Sequence, residues 1–423
     1  MIWKEAFRQI AYHQKVLFTA EPETVERELL GRILPCMDDR QIIVLTGIRG
    51  CGKSTLLKQL SRRQKNWCYF NFKDERLQGF RTEDFEMLHE VLLEVYGSDE
   101  CCFFDEIQNI EKFEIVLRQF QDEGKKVVVT SSNASLLSRA LKTRLAGRYL
   151  VFELYPFSFR EFLDLKKIKS APDDLILTGK GDELITALAS YMILGGFPEN
   201  IKNGDAGYIR TLYESIFYQD ILILYSSRRE RSLKELIILL TRKMSYRFSY
   251  SEMNNVLGLN DWLMVKRYIR QLLNAYLFFE LTKYPFPVKR RQSSFKKMYL
   301  IDPAMFGVCD PAVAPDKERL LKNIVFNELQ RQGKEVTYYF RDKYTCDFIT
   351  RNKDNTVQAI QVCYSFEEKT NRRELSALRK AMDYCHADNG VMITWDQSGE
   401  ISAGTGRITI MPAWKWLVEG RNA

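Results

Sequence analysis

The sequence predicts an α/β protein built on an open parallel sheet, followed by a helical lid and two further domains. Three apolar runs, residues 42–45, 101–104 and 127–129, have the composition of buried strands, and each is followed by polar or glycine-rich sequence. Stretches with a helical pattern separate these runs, and this alternation is typical of parallel βαβ units. The groups at the strand ends should therefore lie along one crevice of the sheet, where ligands bind in this architecture.

A glycine-rich loop follows the first of these strands. Residues 47–54 have the spacing G-x-x-x-x-G-K-[ST], with the start of a helix directly behind them. Glycines let backbone N–H groups turn toward a phosphate, and the helix N-terminus adds partial positive charge. A turn without a ligand is the alternative, but the flanking strand and helix favour a P-loop. The sequence predicts an ATP site that comprises Gly47, Ile48, Arg49, Gly50, Cys51, Gly52, Lys53, Ser54 and Thr55.

Two side chains of the loop and two acids form the predicted catalytic centre. Lys53 should reach the outer phosphates, and the hydroxyl of Ser54 should ligate Mg²⁺. The second apolar run ends in Asp105 and Glu106, and buried acids are costly unless a cation compensates them. We expect Asp105 to coordinate Mg²⁺ and Glu106 to orient and deprotonate the attacking water. A solvated acidic turn is the alternative, which the P-loop disfavours.

Polar groups also follow the third run, where residues 130–133 carry hydroxyl and amide side chains. At this edge of the sheet they are placed to contact the γ-phosphate. A further strand is predicted at 67–72, with a mainly helical segment behind it. Residues 1–35 look helical, and an amphipathic stretch that opens at Glu21 is expected to lead to the first strand.

Several short motifs occur in a fixed order along the chain: Asp105 to Gln108, Thr130 to Asn133, Leu145 to Arg148, Pro156 to Phe162, Gly195 to Pro198 and Tyr218 to Asp220. Together they resemble the signature of a family of prokaryotic AAA-type (AAA+) P-loop ATPases, over nearly the whole chain. The resemblance implies that Ser131 or Ser132 senses the γ-phosphate. It also implies that Arg148, or else Arg144, acts as an arginine finger on a neighbouring subunit, in a homo-oligomer such as a ring. Pairing of these arginines with local acids is the alternative.

Charge and size leave room for a nucleic-acid partner. The chain has 423 residues, which is too long for one ordinary core and predicts two to four domains. Its formal net charge is +8, which permits binding to DNA without establishing it. The position of the basic residues therefore matters more than their number.

Cysteine and histidine usage argues against disulfides and metal clusters. The nine cysteines lack C-x-x-C pairs, and several fall in strand-like runs, as in a reduced cytosolic protein. The three histidines are far apart in sequence, which disfavours histidine-based metal or triad chemistry. The start lacks a signal-peptide pattern, and no run approaches the ~18 apolar residues of a membrane span. We therefore predict a cytoplasmic protein without a membrane partner.

A basic segment follows the predicted lid. Helices are expected near 233–240, from 251 and over 262–275, followed by a strand at 276–281, and three helices with a hairpin form a winged helix-turn-helix. Six basic residues and no acid lie between 283 and 297, so this wing can neutralise DNA phosphates. A solvated hairpin in a protein-interaction module is the alternative. The DNA-contact candidates are Lys266, Arg267, Arg270, Lys289, Arg290, Arg291, Lys296 and Lys297.

The last segment has the element order α-β-β-β-α-β, which resembles a PD-(D/E)XK nuclease fold. Active members bring together an acid on the first helix, an aspartate on the second strand and an acid-x-lysine on the third. Glu328 and Asp347 match the first two, but Gln361 and Cys363 stand where the third acid and the lysine would be. An amide is a poor Mg²⁺ ligand by charge. We expect an inactive scaffold that serves docking, DNA contact or assembly.

These expectations define five segments and one catalytic centre. The segments are a helical lead (1–35), an ATPase core (36–165), a helical lid (166–231), a winged helix (232–310) and a degenerate nuclease-like domain (311–423). The predicted function is ATP hydrolysis by an oligomeric motor or remodelling ATPase that acts on DNA. A nucleotide switch that controls a protein partner, and an ATP-gated nuclease, are the alternatives.

Overall fold

A computed structural model describes residues 3–20, 24–133, 145, 147–169, 181–204, 206–225, 229–259, 261–284, 295–314, 316–352, 354–367, 371–403 and 406–420. The chain divides into two compact units, residues 1–155 with 274–276 and residues 156–273 with 277–423. Four basic site candidates, Arg144, Lys289, Arg290 and Arg291, lie outside the described residues. Within the described ranges, no helix combines the length and apolar character needed to cross a membrane.

The first unit contains the predicted alternation of strands and helices. Its elements are α1 (Lys4–Ala20), α2 (Leu30–Ile33), β1 (Ile42–Thr46), α3 (Lys53–Ser61), β2 (Trp67–Asn71), α4 (Phe85–Tyr96), β3 (Cys101–Asp105), α5 (Phe113–Asp122), β4 (Lys126–Ser131) and β5 (Tyr149–Glu153). The five strands form one sheet in the order β2-β3-β4-β1-β5, and all neighbouring pairs are parallel. The predicted parallel sheet is confirmed.

Strand order brings the predicted site residues together. β4 lies between β1 and β3, with Thr46 of β1 opposite Ser131 of β4. The P-loop after β1, the polar end of β4 and the acids after β3 are therefore neighbours at the carboxyl edge. Every residue of β1 and β3 is buried, because helices cover both faces of a parallel sheet.

The amino-terminal lead is helical in only part of its length. Helix α1 buries Phe7 and Ile10 in the same cluster as Ile42 and Val44 of β1. Residues 24–29 are not helical, in contrast to the expected amphipathic stretch. The physical reason is a side chain on α3, because Gln59 accepts from the Arg27 N–H and donates to the Val25 carbonyl oxygen. These bonds occupy a backbone N–H and a carbonyl oxygen that a helix would pair within itself.

The second unit begins at residue 156. Its elements are α6 (Phe159–Leu165), α7 (Gly181–Leu194), α8 (Pro198–Asn203), α9 (Ala206–Ser215), α10 (Glu230–Arg242), α11 (Tyr250–Leu257), α12 (Trp262–Asn274), β6 (Phe278–Leu281), β7 (Lys283–Tyr284), β8 (Lys297–Leu300), α13 (Met305–Cys309), α14 (Lys317–Arg331), β9 (Glu335–Arg341), β10 (Tyr344–Arg351), β11 (Val357–Val362), α15 (Arg372–Cys385), β12 (Asn389–Thr394), β13 (Gly399–Ala403), β14 (Gly406–Pro412) and α16 (Ala413–Glu419).

Between residues 230 and 300, where helices and a hairpin were predicted, the described residues form helices and an antiparallel strand pair. Helices α10, α11 and α12 precede β6, which pairs antiparallel with β8. The strand starts at Phe278 rather than at Tyr276, because Tyr276 has a φ of 59° and turns the chain. This segment thus has three helices and an antiparallel strand pair among its described residues.

The carboxy-terminal segment contains the predicted order α14, β9, β10, β11, α15 and β12. Its strands belong to a seven-stranded sheet with the order β13-β14-β12-β11-β10-β9-β7. The edge strand β7 comes from the preceding segment and pairs in parallel with β9. Lys283 and Tyr284, at the start of the predicted basic hairpin, therefore belong to the last sheet.

Gly195 and Gly196, which belong to one of the motifs named above, lie very close to neighbouring atoms of the second unit. A Cβ on Gly196 would lie 2.3 Å from the Phe157 carbonyl oxygen, and one on Gly195 would lie 1.8 Å from Oδ1 of Asp302. The buried Asp302 accepts hydrogen bonds from the N–H groups of Gly196 and Ala304, at 2.7 and 2.9 Å. Packing thus accounts for both glycines.

Candidate active site

The P-loop joins β1 to α3 at the carboxyl edge of the first sheet. Gly52 lies at the N-cap of α3 with a φ of 96°, a left-handed conformation that glycine adopts without strain. Gly47 lies so close to the backbone of Leu154 that a Cβ there would be 2.1 Å from its carbonyl oxygen. The loop therefore requires glycine at both positions. Its backbone N–H groups and the α3 N-terminus form a site suited to phosphate.

Lys53, the first residue of α3, folds its side chain back over the loop. Its buried Nζ donates hydrogen bonds to the carbonyl oxygens of Gly47 and Ile48, at 3.0 and 3.2 Å. The same ammonium lies 3.9 Å from Oε1 of Glu106. The predicted phosphate-binding cation thus lies between the P-loop and the predicted general base.

The other predicted loop residues differ in exposure. Ile48 and Cys51 are buried beneath the loop, and burial raises the pKa of the Cys51 thiol, so that it stays protonated. Arg49 and Thr55 are half-buried, and Gly50 is exposed. Ile48 and Cys51 thus support the loop from inside, while the other three are accessible to a ligand.

Asp105 is fully buried at the end of β3 and is surrounded by hydroxyl groups. Its Oδ2 accepts hydrogen bonds from Ser54 at 2.5 Å and from Tyr69 at 3.2 Å, and its Oδ1 accepts one from Thr130. Burial raises the pKa of Asp105, and the neighbouring charge of Glu106 raises it further. A carboxylate in this environment is favoured by a compensating cation.

The donor set at this position suits Mg²⁺. Ser54 and Asp105 supply a hydroxyl and a carboxylate oxygen within hydrogen-bond distance of each other. Mg²⁺ prefers oxygen ligands and binds through one or two carboxylates together with phosphate oxygens and water. The two predicted metal ligands therefore lie together, beside the P-loop.

Glu106 has a backbone conformation that is uncommon for a residue with a side chain. Its φ is 53°, and the hydroxyl of Thr130 accepts its N–H at 2.8 Å. Strained backbone of this kind costs of the order of 1–3 kcal/mol and concentrates at functional sites. The conformation directs the chain from β3 into a short turn, residues 107–109.

The charge state of Glu106 suits a general base. Burial opposes its ionisation, but the Lys53 ammonium and hydrogen bonds from Gln108 and Ser132 outweigh burial and lower its pKa. Ser132 donates to Oε2 at 3.1 Å, and Gln108 donates to the same oxygen. Glu106 is therefore a carboxylate at neutral pH and is able to accept a proton.

The two serines named as phosphate sensors have different contacts. Ser132 contacts Glu106, as described above. Ser131 instead bonds within its own turn, where its Oγ accepts the N–H of Asn133 at 3.2 Å. Of the two candidates, Ser132 is the one whose described contacts connect it to the predicted base.

Three residues of this site, Tyr69, Arg27 and Gln108, were not predicted from the sequence as functional, and Thr130 was expected to contact the γ-phosphate rather than Asp105. Tyr69 and Thr130 contact Asp105, and both occupy strand positions whose role depends on the register of neighbouring strands. Arg27 is buried and donates to the carbonyl oxygens of Cys51 and Tyr155, at 2.6 and 2.7 Å. Gln108 belongs to the motif Asp105 to Gln108, so the sequence offered a reason to consider it functional. Arg27 lies outside every motif, and the sequence offered no such reason for it.

Arg148 lies at the opposite edge of the sheet from the P-loop. It directly precedes β5, and its carbonyl oxygen accepts the N–H of Ile42 at the start of β1. A five-residue strand spans roughly 16 Å, so Arg148 does not reach the P-loop of its own chain. Its side chain is 46% exposed and pairs with Asp122 at 2.8 Å. The local ion pair is present, and a catalytic role would require a neighbouring subunit.

Helix α12 carries three of the predicted DNA contacts. Arg267 and Arg270 are exposed on this helix. Lys266 is half-buried, with its Nζ 6.0 Å from the ring centroid of Trp262. Trp262 and Leu263 are exposed at the start of the helix. The accessible face therefore combines basic and apolar groups.

The expectation that Lys296 and Lys297 contact DNA is wrong for this conformation, because both side chains are buried. The Nζ of Lys296 lies 4.4 Å from the ring centroid of Tyr250. The Nζ of Lys297 donates to Oδ1 of Asp347 at 3.0 Å. A lysine enclosed in this way does not present its charge to a phosphate backbone.

The residues of the nuclease-like pattern do not form a metal cluster. Asp347 is buried, and its Oδ2 lies 3.4 Å from Lys322 and accepts the Val362 N–H at 3.3 Å. Burial opposes its ionisation, but Lys322 and Lys297 outweigh burial and lower the pKa of Asp347. Two lysines therefore neutralise the carboxylate that a nuclease would use for a metal.

The other positions of that pattern are also engaged in protein contacts. Glu328 pairs with Arg331 at 3.3 Å, and Gln361 accepts the Asp347 N–H at 3.1 Å. Burial raises the pKa of the Cys363 thiol to about 12. Among the residues that the structure describes, no group of three or more His, Cys, Asp and Glu side chains is placed to hold a metal ion.

Two family models match this chain. Residues 39–163 match a family described as an AAA domain, and residues 185–311 match one described as a domain of unknown function. An uncharacterized protein of Methanocaldococcus jannaschii is 28% identical over 433 residues, covering 97% of this chain and 95% of that protein. An uncharacterized protein of Haemophilus influenzae is 28% identical over 364 residues, covering 82% of this chain and 88% of its own length.

Solved structures with a similar chain path include a Walker-type ATPase of Pyrococcus abyssi, with 15% identity and a TM-score of 0.45. That alignment covers 69% of this chain and 99% of the other. Cdc6p from Pyrobaculum aerophilum is 13% identical, with a TM-score of 0.27 and coverage of 73% and 97%. Scores this low carry no functional argument.

Proposed function

We propose that this chain, whose residues 39–163 carry an AAA-type P-loop ATPase domain, hydrolyses ATP with Mg²⁺ as an oligomer and uses the energy to move or remodel DNA. The observation that carries the hydrolysis proposal is the 2.5 Å hydrogen bond between Ser54 and Asp105, with the ionised Glu106 next in sequence. A loop that only bound nucleotide would need neither the buried Asp105 nor the half-buried Glu106 at the same edge of the sheet.

Each side chain of the site has a distinct role in this proposal. Gly47 to Thr55 enclose the phosphates, and Lys53 stabilises the charge that develops on them. Ser54 and Asp105 would hold Mg²⁺, and the bound ion would neutralise phosphate charge. Glu106 orients the attacking water and accepts its proton. Ser132 keeps the Glu106 carboxylate in position through its 3.1 Å hydrogen bond.

The oligomer proposal concerns Arg148, the remaining candidate for an arginine finger among the described residues. Its half-exposed guanidinium is held by one surface ion pair with Asp122, and such pairs are typically worth less than about 1 kcal/mol. The guanidinium is therefore available to a neighbouring subunit. Arg144 remains the second candidate. Specific activity should rise with protein concentration, and mixing inactive Arg148→Ala and Glu106→Gln chains should restore part of the activity.

The DNA proposal concerns the segment from α10 to β8, which we interpret as a winged helix. Lys266, Arg267 and Arg270 on α12 would neutralise phosphates, and Lys289, Arg290 and Arg291, which lie outside the described residues, stay DNA-contact candidates from the sequence. Lys296 and Lys297 are omitted from this set because they are buried. A protein partner is the second candidate, favoured by the exposed Trp262 and Leu263 on the same helix.

The carboxy-terminal segment is proposed as an inactive nuclease-like scaffold. The support is that Lys297 and Lys322 neutralise Asp347, while Gln361 and Cys363 supply neither an acid nor a cation. Cleavage of DNA that depends on Mg²⁺ or Mn²⁺ and is lost in Asp347→Ala would contradict this proposal and favour the ATP-gated nuclease.

ATP turnover in the presence of duplex DNA distinguishes the two partner classes. If DNA is the substrate, it should stimulate turnover, and the stimulation should fall steeply with salt. The double variant Arg267→Ala/Arg270→Ala should weaken the effect, whereas Arg63→Ala/Arg407→Ala, which removes two exposed charges outside the segment from α10 to β8, should preserve it. Turnover that DNA does not change would favour a nucleotide switch acting on a protein.

A further inference from the structure

The two polar atoms of the Gln108 side-chain amide differ in their contacts beside Glu106, the proposed catalytic carboxylate. It lies in the short turn at 107–109 that follows Glu106. Its Nε2 donates to Oε2 of Glu106 and, at 3.2 Å, to Oγ of Ser132. Its Oε1 is buried and has no hydrogen-bond partner among the described residues.

A buried acceptor without a donor is costly. An unsatisfied group of this kind has lost its hydrogen bonds to water without gaining others, and buried polar atoms are bonded in the great majority of cases. The amide of Gln108 is held by two contacts at its nitrogen, so its oxygen is fixed in direction. A fixed, unsatisfied acceptor next to a general base suits one ligand in particular, which is a water molecule that has hydrogens to donate.

The two oxygens of Glu106 have different neighbours. Oε2 already accepts from Gln108 and Ser132. Oε1 lies 3.9 Å from the Lys53 ammonium, and Lys53 covers the carbonyl oxygens of the P-loop. Oε1 is therefore the oxygen on the phosphate side, and it is the one able to accept a proton from a water there.

We propose that Gln108 positions the attacking water: its Oε1 accepts one hydrogen of the water while its Nε2 fixes the Glu106 carboxylate that accepts the other. The water oxygen then forms a bond to the γ-phosphorus, and the bond from that phosphorus to the bridging oxygen breaks. ADP leaves with the electron pair, and the proton of the water passes to Oε1 of Glu106. The inference rests on the proposed hydrolysis at Glu106 and assigns the residue that directs its substrate water.

The alternative is a purely structural role, in which Gln108 only holds the turn at 107–109 in place. Loss of a structural contact would affect stability and ATP binding, whereas loss of a water-positioning group affects the chemical step. The two roles are therefore separated by measuring ATP affinity and the hydrolysis rate independently. Single-turnover conditions isolate the chemical step from product release.

Gln121 provides a matched control in the same unit. Its Oε1 is also buried without a hydrogen-bond partner among the described residues, and its Nε2 donates to the carbonyl oxygens of Arg40 and Arg148. It lies at the end of α5, at the amino edge of the sheet, away from the P-loop. Gln121→Leu therefore removes the same groups without touching the proposed water.

The experiment compares Gln108→Leu, Gln108→Glu and Gln121→Leu with the unchanged protein. A fluorescent ATP analogue with Mg²⁺ gives the dissociation constant, and radiolabelled ATP gives the single-turnover rate. We expect Gln108→Leu to lower the rate about 10²-fold or more, since positioned polar groups of this kind contribute about 10²–10⁴-fold. Its dissociation constant should change less than about threefold, and Gln121→Leu should leave both quantities unchanged.

Gln108→Glu keeps the length and an acceptor oxygen but removes the donor, so it also tests the role if Gln108→Leu does not fold. We expect it to be slow with intact ATP binding. A rate within about threefold of the unchanged protein in both Gln108 variants, or a loss of rate matched by an equal loss of affinity, would overturn the inference. Glu106→Gln, measured in parallel, separates a failure of the Gln108 inference from a failure of the proposed hydrolysis at Glu106. If it is inactive while Gln108 variants are normal, the water-positioning role alone fails, and if it hydrolyses normally, both proposals fail.

Discussion

Ser54, the second residue of α3, donates a hydrogen bond to Asp105 at the end of β3 over 2.5 Å. The two residues are 51 positions apart in sequence and meet because β4 alone separates β1 from β3 in the sheet. This contact brings a hydroxyl and a carboxylate, the two predicted Mg²⁺ ligands, to one point beside the P-loop.

Asp105→Asn should therefore impair the response to Mg²⁺ more than nucleotide binding itself. The amide retains the shape of the carboxylate but loses the charge that attracts the cation. We expect the Mg²⁺ concentration for half-maximal turnover to rise at least tenfold. The dissociation constant of a fluorescent ADP analogue in EDTA should stay within about threefold. Asp39→Asn, at an exposed position before β1, serves as the control. An unchanged Mg²⁺ titration would remove Asp105 from the metal site.

Arg27→Met should weaken nucleotide binding without touching the P-loop sequence. The guanidinium of Arg27 donates to Cys51 in the loop and to Tyr155, and charged hydrogen bonds contribute about 1.5–3 kcal/mol each. Losing the bond to the loop should raise the dissociation constant of an ATP analogue about tenfold or more. Arg63→Met, an exposed arginine paired with Glu26, is the matched control. Equal affinities of the two variants would contradict this role.

The sequence did not predict β5, none of whose residues is fully buried, but the other four strands of the ATPase unit were predictable because each is a local apolar run, and the P-loop and the acids directly follow two of them. The contacts of Tyr69 and Thr130 with Asp105 were not, since they depend on strand order and register. Arg27 contacts Cys51, 24 residues away, and no local pattern signals such a contact. Predicting it would have required the path of residues 24–29.

For Lys297, a local sequence pattern was present but gave a wrong prediction. Its basic surroundings in sequence predicted an exposed, DNA-binding side chain. The ammonium is instead enclosed because Asp347, 50 residues away, supplies a buried carboxylate. The local sequence around Lys297 could not show this, because its partner is distant in the chain.

Lys297→Met should destabilise the second unit by up to about 3–5 kcal/mol, because it removes one partner of a buried ion pair. The double variant Lys297→Met/Asp347→Asn should recover part of this loss, since no buried carboxylate then remains. The free energy of unfolding in urea gives both values. Lys202→Met, which removes a surface pair with Glu199, should cost less than about 1 kcal/mol. A Lys297→Met cost as small as that of Lys202→Met would contradict the buried pair.

Because the pKa of Asp302 is raised, we expect the free energy of unfolding to depend on pH. Burial raises its pKa to about 7, although hydrogen bonds from the N–H groups of Gly196 and Ala304 lower it. An acid with a raised pKa binds protons more tightly in the folded state, so its contribution favours folding at low pH. That contribution should be lost as pH rises from about 4 through 7. Asp302→Asn should flatten the unfolding free energy over this range, and an unchanged pH profile would contradict the shift.

The central claim is that Glu106 acts as the general base of a P-loop ATPase site, and Glu106→Gln tests it most directly. The variant should bind Mg²⁺ and ATP with a dissociation constant within about threefold of the unchanged protein and hydrolyse it at least ~10²-fold more slowly. Lys53→Ala, measured alongside, should lose nucleotide binding. Single-turnover mixing with radiolabelled ATP, followed by isolation of the complex, gives both quantities. We predict that Glu106→Gln retains intact ATP, and release of phosphate at the unchanged protein's rate would contradict the claim.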